Sequence, residues 1–194
     1  MLVAFDVDDT LAKFNIPLLN VYNAIDGTNY TSRDIKSYNL EMLWGCTKEE
    51  AIQRIQYFYK THEFGRIVPV EGSQEAVEKL SKENQLIVIT SRLSSVSRKT
   101  EEWLDKYFSG KFSDIYYTSE WHSANGGSGK KADICRDKKV DIIIDDCLEY
   151  ILACQNVGTR GILFDLNGEY GWNKTEEEIK RVLNWEEVLK KIKK

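Results

Sequence analysis

Proline is almost missing from this chain, at 2 of 194 residues, and glycine contributes only 12. That scarcity excludes collagen-like, linker-dominated and proline-rich disordered readings. Histidine is equally scarce. His62 and His122 stand apart, and His122 lies beside Trp121 rather than another ligand type, so neither marks a metal site. The four cysteines (Cys46, Cys135, Cys147, Cys154) include no CxxC pair and read as small buried thiols of a reducing cytoplasm. No stretch approaches the roughly 20 apolar residues of a membrane span. Met1–Asp6 runs into acid too early for a signal peptide. The expectation is a cytoplasmic protein with no membrane partner. A one-sided charge is missing too: 27 basic against 31 acidic residues leave −4. A polymeric nucleic acid, which needs clustered Lys and Arg, is therefore not an expected partner.

What remains is 42% hydrophobic and 30% charged, the balance of a globular protein large enough for one domain, or for one domain carrying an insert. Leu2–Phe5, Leu86–Ile89, Ile115–Tyr117, Val140–Ile144 and Gly161–Phe164 are short apolar runs of buried-strand type. Helical periodicity falls at Ser73–Lys82, Ser95–Phe108, Lys131–Arg136 and Leu148–Gln155. A Thr175–Glu178 capping box is expected to open one or two C-terminal helices through Ile179, Val182, Leu183, Val188, Leu189 and Ile192. Between the first two strands, Phe14–Phe64 is mostly helical in pattern: Asn15–Ile25, Ser32–Leu43 and a helix opened by the Thr47–Glu50 capping box. The alternation predicts an α/β protein with a Rossmann-like parallel sheet, whose ligand sits beyond the carboxyl ends of its strands.

The unusual polar residues cluster at three such ends: Asp6-Val7-Asp8-Asp9-Thr10, Thr90-Ser91-Arg92 and Asp145-Asp146. Two carboxylates about 5 Å apart repel by roughly 3 kcal/mol at an effective dielectric of about 20, so such a cluster needs a cation or bound protons. An all-oxygen aspartate site suits Mg²⁺. Asp6, Asp145 and the Asp8 backbone carbonyl are expected to cradle it, with Asp146 behind them or reaching through water. A lone strand-end aspartate usually caps a turn; a DxD with a remote DD points to chemistry. If the chain turns after Asp6, Asp6 and Asp8 face one ligand, one as nucleophile and the other as proton donor.

These residues resemble the four motifs of the haloacid dehalogenase-like (HAD) superfamily, in order: Asp6-Val7-Asp8-Asp9-Thr10, then Thr90, then Lys131, then Asp145-Asp146. A four-part match is specific where DxD alone is weak. The resemblance implies that Asp6 attacks phosphorus to form an aspartyl-phosphate, and that Asp8 protonates the leaving oxygen and then activates water. Thr90 and the Ser91 backbone would hold phosphate oxygens, Lys131 would neutralise Asp6, and Mg²⁺ would offset charge on the transferring group. It also implies a small helical cap over residues 14–68, inserted between the first and second core strands, on a core of 1–13 and 69–194. Lys130 competes with Lys131 for the third motif. Within the superfamily, Val70-Glu71-Gly72, Ile89–Arg92, Lys99–Trp103, Asp141–Asp146 and Phe164-Asp165 are similar to the 5′(3′)-deoxyribonucleotidase group, although Asp9 stands where that group usually has glycine.

The implied substrate is a small phosphorylated molecule, with nucleoside (deoxy)monophosphates leading. A sugar phosphate, a polynucleotide 3′ end, or a non-catalytic nucleotide- or metal-binding role are the alternatives, and a homodimer stays open. Arg92 could reach a phosphate or the nucleotide sugar, or make a surface salt bridge. Phe14, Tyr22, Tyr38, Trp44 and the Tyr170-Gly171-Trp172 loop are candidates to stack on a base. Asn125–Lys130 lacks the spacing of a phosphate loop, and Lys190–Lys194 reads as a solvated helix end.

Overall fold

A computed structural model of the chain describes residues 1–118, 129–173 and 180–193. Among them, five parallel strands form one sheet in the order β3-β2-β1-β4-β5: β1 (Leu2–Phe5), β2 (Gln85–Thr90), β3 (Asp114–Tyr117), β4 (Ile142–Asp145) and β5 (Arg160–Leu163). The helices α1 (Asn15–Asp26), α2 (Leu40–Trp44) and α3 (Lys48–Phe58) lie between β1 and β2 in the chain, and α4 (Ser73–Leu80) also precedes β2. Next come α5 (Ser97–Phe108), α6 (Gly129–Lys138), α7 (Leu148–Asn156) and α8 (Trp185–Ile192).

Strand side chains alternate between faces, and the core divides accordingly. Val3, Phe5, Leu86, Val88, Ile142 and Ile144 pack with α4, α5 and α8. Ala4, Ile87, Ile89 and Ile143 pack with Ala132 and Cys135 of α6 and Ile151 and Cys154 of α7. The middle strands are apolar on both faces because both faces are covered. Chain direction across the sheet reverses between β1 and β4, the crevice where such sheets bind ligands. There Phe5 pairs with Ile144, and the Asp6 amide donates to the Ile144 carbonyl. The register sets Asp6 beside Asp145.

The inserted helices leave and return side by side. Ala12 bridges Pro69, Lys13 N–H donates to Val68 O, and Val70 N–H donates to Leu11 O. The Thr47–Glu50 capping box is present at α3, with both reciprocal bonds made.

Two helical expectations are corrected. Of Ser32–Leu43, only the end enters a helix, α2. Asp34 accepts from both Thr31 N–H and its hydroxyl, closing a turn that competes with the helix. Residues 32–38 instead form a strap against the loop after β5, where Gly171 N–H donates to Ser32 O and Tyr38 packs edge-on to Trp172 and Tyr150. Val182 is likewise not helical: it bridges Phe164 in parallel, its N–H donating to Leu163 O. Apolar residues at helical spacing also fit a strand edge when tertiary pairing is on offer. Helix α8 starts only at Trp185, with Asn184 accepting from Glu187 N–H. The Thr175–Glu178 box, Ile179, His122 and residues 123–128 of the Gly/Ser loop lie outside the described residues.

The strap seam allows a test. A Cβ on Gly171 would lie 2.4 Å from Ile35 O and 2.6 Å from Arg33 O, backbone atoms that cannot turn aside. Gly171→Ala is expected to destabilise the protein by about 1–3 kcal/mol, read as a lower urea midpoint; an unchanged midpoint would show that the seam yields at no cost.

Candidate active site

After β1 the chain turns back within four residues. Leu11 and Ala12 N–H both donate to Val7 O, Asp9 N–H donates to Ala12 O, and Asp9 takes a left-handed conformation at φ 54°. Aspartate tolerates that region better than most side chains. The Asp9 carboxylate accepts from Phe14 and Asn15 N–H and so caps α1. Tyr170 secures the same turn, its hydroxyl donating to Asp9 O at 2.6 Å.

The turn, two neighbouring strand ends and α6 bring most of the expected residues together. Lys131 Nζ donates to Asp6 Oδ1 at 2.6 Å and to Asp145 Oδ2 at 2.7 Å, and sits 4.4 Å from the centre of the Tyr150 ring. Lys130 instead donates to Thr118 O, so of the two candidate lysines it is Lys131 that meets the acids. Asp145 Oδ1 accepts from Cys147 N–H. Asp6, Asp145 and Asp146 each aim one oxygen into a common space, all within 4.8 Å of one another. The two carboxylate oxygens of Asp146 are buried and have no hydrogen-bond partner among the described residues, while its backbone carbonyl is held by Trp172 Nε1 and Asn173 Nδ2.

Three buried carboxylates around one ammonium leave an excess of negative charge. Burial, only partly opposed by Lys131 and reinforced by Asp145 and Asp8, pushes the Asp6 carboxyl up to about 7. Burial also raises Asp146 well above the carboxylate range, with Asp145 and Asp6 adding to it. Burial works against the Lys131 cation, but Asp145 and Asp6 outweigh it and hold its pKa well above the usual value. Attraction to Lys131 and repulsion within the acid group thus pull Asp6 in opposite directions, and burial decides the net direction. A hard divalent cation among the three would reverse the carboxylate shifts. Orphaned Asp146 oxygens beside two more carboxylates are a donor set that fits one.

Asp8 lies apart from this trio. Its carboxylate accepts three hydrogen bonds from Arg92. Arg92 is 2% exposed, so the surface salt bridge is excluded. Thr90 Oγ1 accepts from Arg92 N–H, and Ser91 Oγ donates to the Tyr150 hydroxyl. Above these residues a pocket is lined by Phe14, Tyr38, Tyr59 and Trp172 beside Asp8, Ser91 and Arg92. Tyr22 and Trp44 do not reach it; they flank the Arg54 guanidinium at a separate surface pocket. Tyr170 stacks beneath Trp172, and His62 is exposed on the turn after α3.

Sequence reasoning missed Tyr150, Asn173 and the capping role of Asp9. Only Asp9 left a signal, a turn-tolerant residue six before the helix start.

A parallel sheet carrying acids at the carboxyl ends of β1 and β4, a threonine ending β2 and a lysine on α6 defines a HAD-type hydrolase. Solved structures agree on the fold. A haloacid dehalogenase-like hydrolase of Streptococcus pneumoniae matches with TM-score 0.66 and 17% identity over 89% of this chain and 87% of its own. A HAD-hydrolase of Bacillus subtilis, solved with magnesium bound, matches with TM-score 0.63 and 16% identity over 98% and 97%. A sequence model of the family "5' nucleotidase, deoxy (Pyrimidine), cytosolic type C protein" matches residues 1–194, and the chain belongs to that family. The 5′(3′)-deoxyribonucleotidase of Bacillus subtilis is 27% identical to it over 193 residues, 98% of this chain and 97% of the relative.

Proposed function

We propose that this protein is a Mg²⁺-dependent phosphomonoesterase that hydrolyses nucleoside (deoxy)monophosphates through a phosphorylated Asp6. The reading is carried by one arrangement: the Lys131-held Asp6 converging with the buried Asp145 and Asp146 carboxylates on a common space. The family match and the deoxyribonucleotidase relative support the substrate class.

Lys131 holds Asp6 Oδ1, and Oδ2 attacks phosphorus. The P–O bond to the leaving group breaks as the new Asp6–phosphorus bond forms, and Asp8, entering this step as the carboxylic acid, passes its proton to the leaving oxygen and is left as the carboxylate that Arg92 holds. Asp8 then takes a proton from water as that water attacks phosphorus, and phosphate departs with Asp6 restored. Thr90 and Ser91 hold phosphate oxygens. Asp6, Asp145 and Asp146 would hold Mg²⁺, which when bound offsets charge on the transferring phosphoryl group. Residues 14–68 act as a cap excluding water, with Phe14, Tyr38 and Trp172 offering faces to a base. Phosphate release from a panel of nucleoside monophosphates, sugar phosphates and 3′-phosphorylated oligonucleotides with Mg²⁺ tests this. Nucleotides should lead in kcat/KM. A preference for either other class would move the substrate, and binding without release would remove the enzyme.

EDTA is expected to abolish turnover, and metal should couple to pH with a definite sign. Asp6 ionises near 7 when folded against a usual value of 3.8. Between those values the native metal-free protein binds more protons than the unfolded chain, so this group lowers stability as pH rises. Mg²⁺ competes with those protons. The Tm gain on adding Mg²⁺ should therefore be larger at about pH 8 than at about pH 6; a gain that shrinks with pH would place the ion elsewhere.

A further inference from the structure

An arginine directly after a phosphate-binding Thr-Ser pair would ordinarily be read as a phosphate ligand. Its surroundings point elsewhere. The Arg92 guanidinium turns its Nε–Nη2 edge to Asp8: Nε donates to both carboxylate oxygens at 3.1 Å, and Nη2 donates to Oδ1 at 2.6 Å. Nη1 donates to Thr100 Oγ1 at 3.1 Å, and that hydroxyl donates in turn to Val96 O, on the residue just before α5. The Phe64 and Phe14 rings lie 5.1 and 6.0 Å from the guanidinium carbon. Arg92 is thus fixed by α5 behind it and by two aromatic rings from the segment between β1 and β2, and its fork pairs with one carboxylate. Fork-to-carboxylate pairing fixes orientation as well as charge.

We propose that Arg92 is a positioning residue for Asp8: anchored by Thr100, it sets the carboxylate orientation from which the proton reaches the leaving oxygen. This rests on the phosphomonoesterase reading above. An aspartate just past a strand end has several open rotamers, and a proton donor contributes only from the right one. Arg92 acts through Asp8, not through the phosphate.

Leaving-group dependence separates these roles. A nucleoside 5′-oxygen is a strongly basic leaving group and needs the proton, whereas p-nitrophenolate hardly does. Arg92→Lys keeps the charge and loses the fork. It is expected to lower kcat on a nucleoside monophosphate by about 10²-fold but on p-nitrophenyl phosphate by less than about 10-fold, with inhibition by inorganic phosphate unchanged. Thr100→Val, which removes only the anchor, should give the same split in smaller measure, and it decides the matter if Arg92→Lys fails to give the wild-type far-UV spectrum. Equal losses on both substrates, or weakened phosphate inhibition, would overturn the assignment and make Arg92 structural or a phosphate ligand. A wild-type protein that hydrolyses neither substrate would overturn the phosphomonoesterase reading itself, and this inference with it.

Discussion

Asp6→Asn is expected to cut phosphomonoester turnover by at least about 10³-fold while leaving the metal-free protein no less stable than wild type. An amide oxygen is a poor nucleophile and cannot form the acyl phosphate, so the loss belongs to kcat rather than KM. The stability half follows from charge. Asp6, Asp145 and Asp146 crowd one buried space in which Lys131 is the ammonium partner of Asp6 and Asp145, and burial already pushes Asp6 up to about 7. Replacing it with a neutral isostere removes a repulsive partner from Asp146 and still leaves Lys131 paired with Asp145. Buried acids that hold structure destabilise when neutralised; buried acids poised for a cation do the reverse. Rates on p-nitrophenyl phosphate with Mg²⁺, and urea midpoints in EDTA, check the two halves separately. Retained activity would move the nucleophile elsewhere. A lower midpoint in EDTA would make Asp6 a structural ion-pair partner first.

The parallel sheet and the placing of acids at its carboxyl edge were legible because strand ends are fixed by short apolar runs, and register follows from pairing them. Asp6 beside Asp145 needs only β1 next to β4. The sequence left Lys130 and Lys131 in competition for the third motif; their neighbours differ only through folding, Lys131 pairing with Asp6 and Asp145 and Lys130 donating to Thr118 O. Illegible were features created by contacts between distant segments. The Ser32–Tyr38 strap trades a helix for a seam with Gly171, and Val182 trades one for a bridge to Phe164. Arg92 was visible as a cation near the site, but its attachment to Asp8 depends on α5 supplying Thr100 behind it. Tyr22 and Trp44 had the composition of a stacking pair, yet they face Arg54, because spacing along a helix does not say which neighbour its face will meet.

Lys131→Met tests the same charge balance from the opposite side and should carry the largest stability cost of any single change in the site. Methionine approximates the length of the aliphatic stem and keeps contact with the Tyr150 ring, so packing is largely spared while the ammonium is lost. Asp6 and Asp145 then lose their shared partner, and the Asp146 carboxylate already has none among the described residues. Removing one member of a buried ion pair typically costs about 3–5 kcal/mol, a large part of the roughly 5–15 kcal/mol that holds a domain folded. The stranded carboxylates can escape only by taking up protons, so the cost should be greater at about pH 8 than at about pH 5, and Mg²⁺ should recover part of it by supplying positive charge in the same place. Adding Asp6→Asn should restore more stability to the Lys131→Met protein than it confers on wild type, because the two residues share one interaction and their effects cannot be additive. Urea unfolding of the four proteins in the cycle, in EDTA at about pH 8, measures that coupling. A coupling near zero would mean that Lys131 does not compensate Asp6, and the ion-pair arrangement proposed for the nucleophile would have to be abandoned.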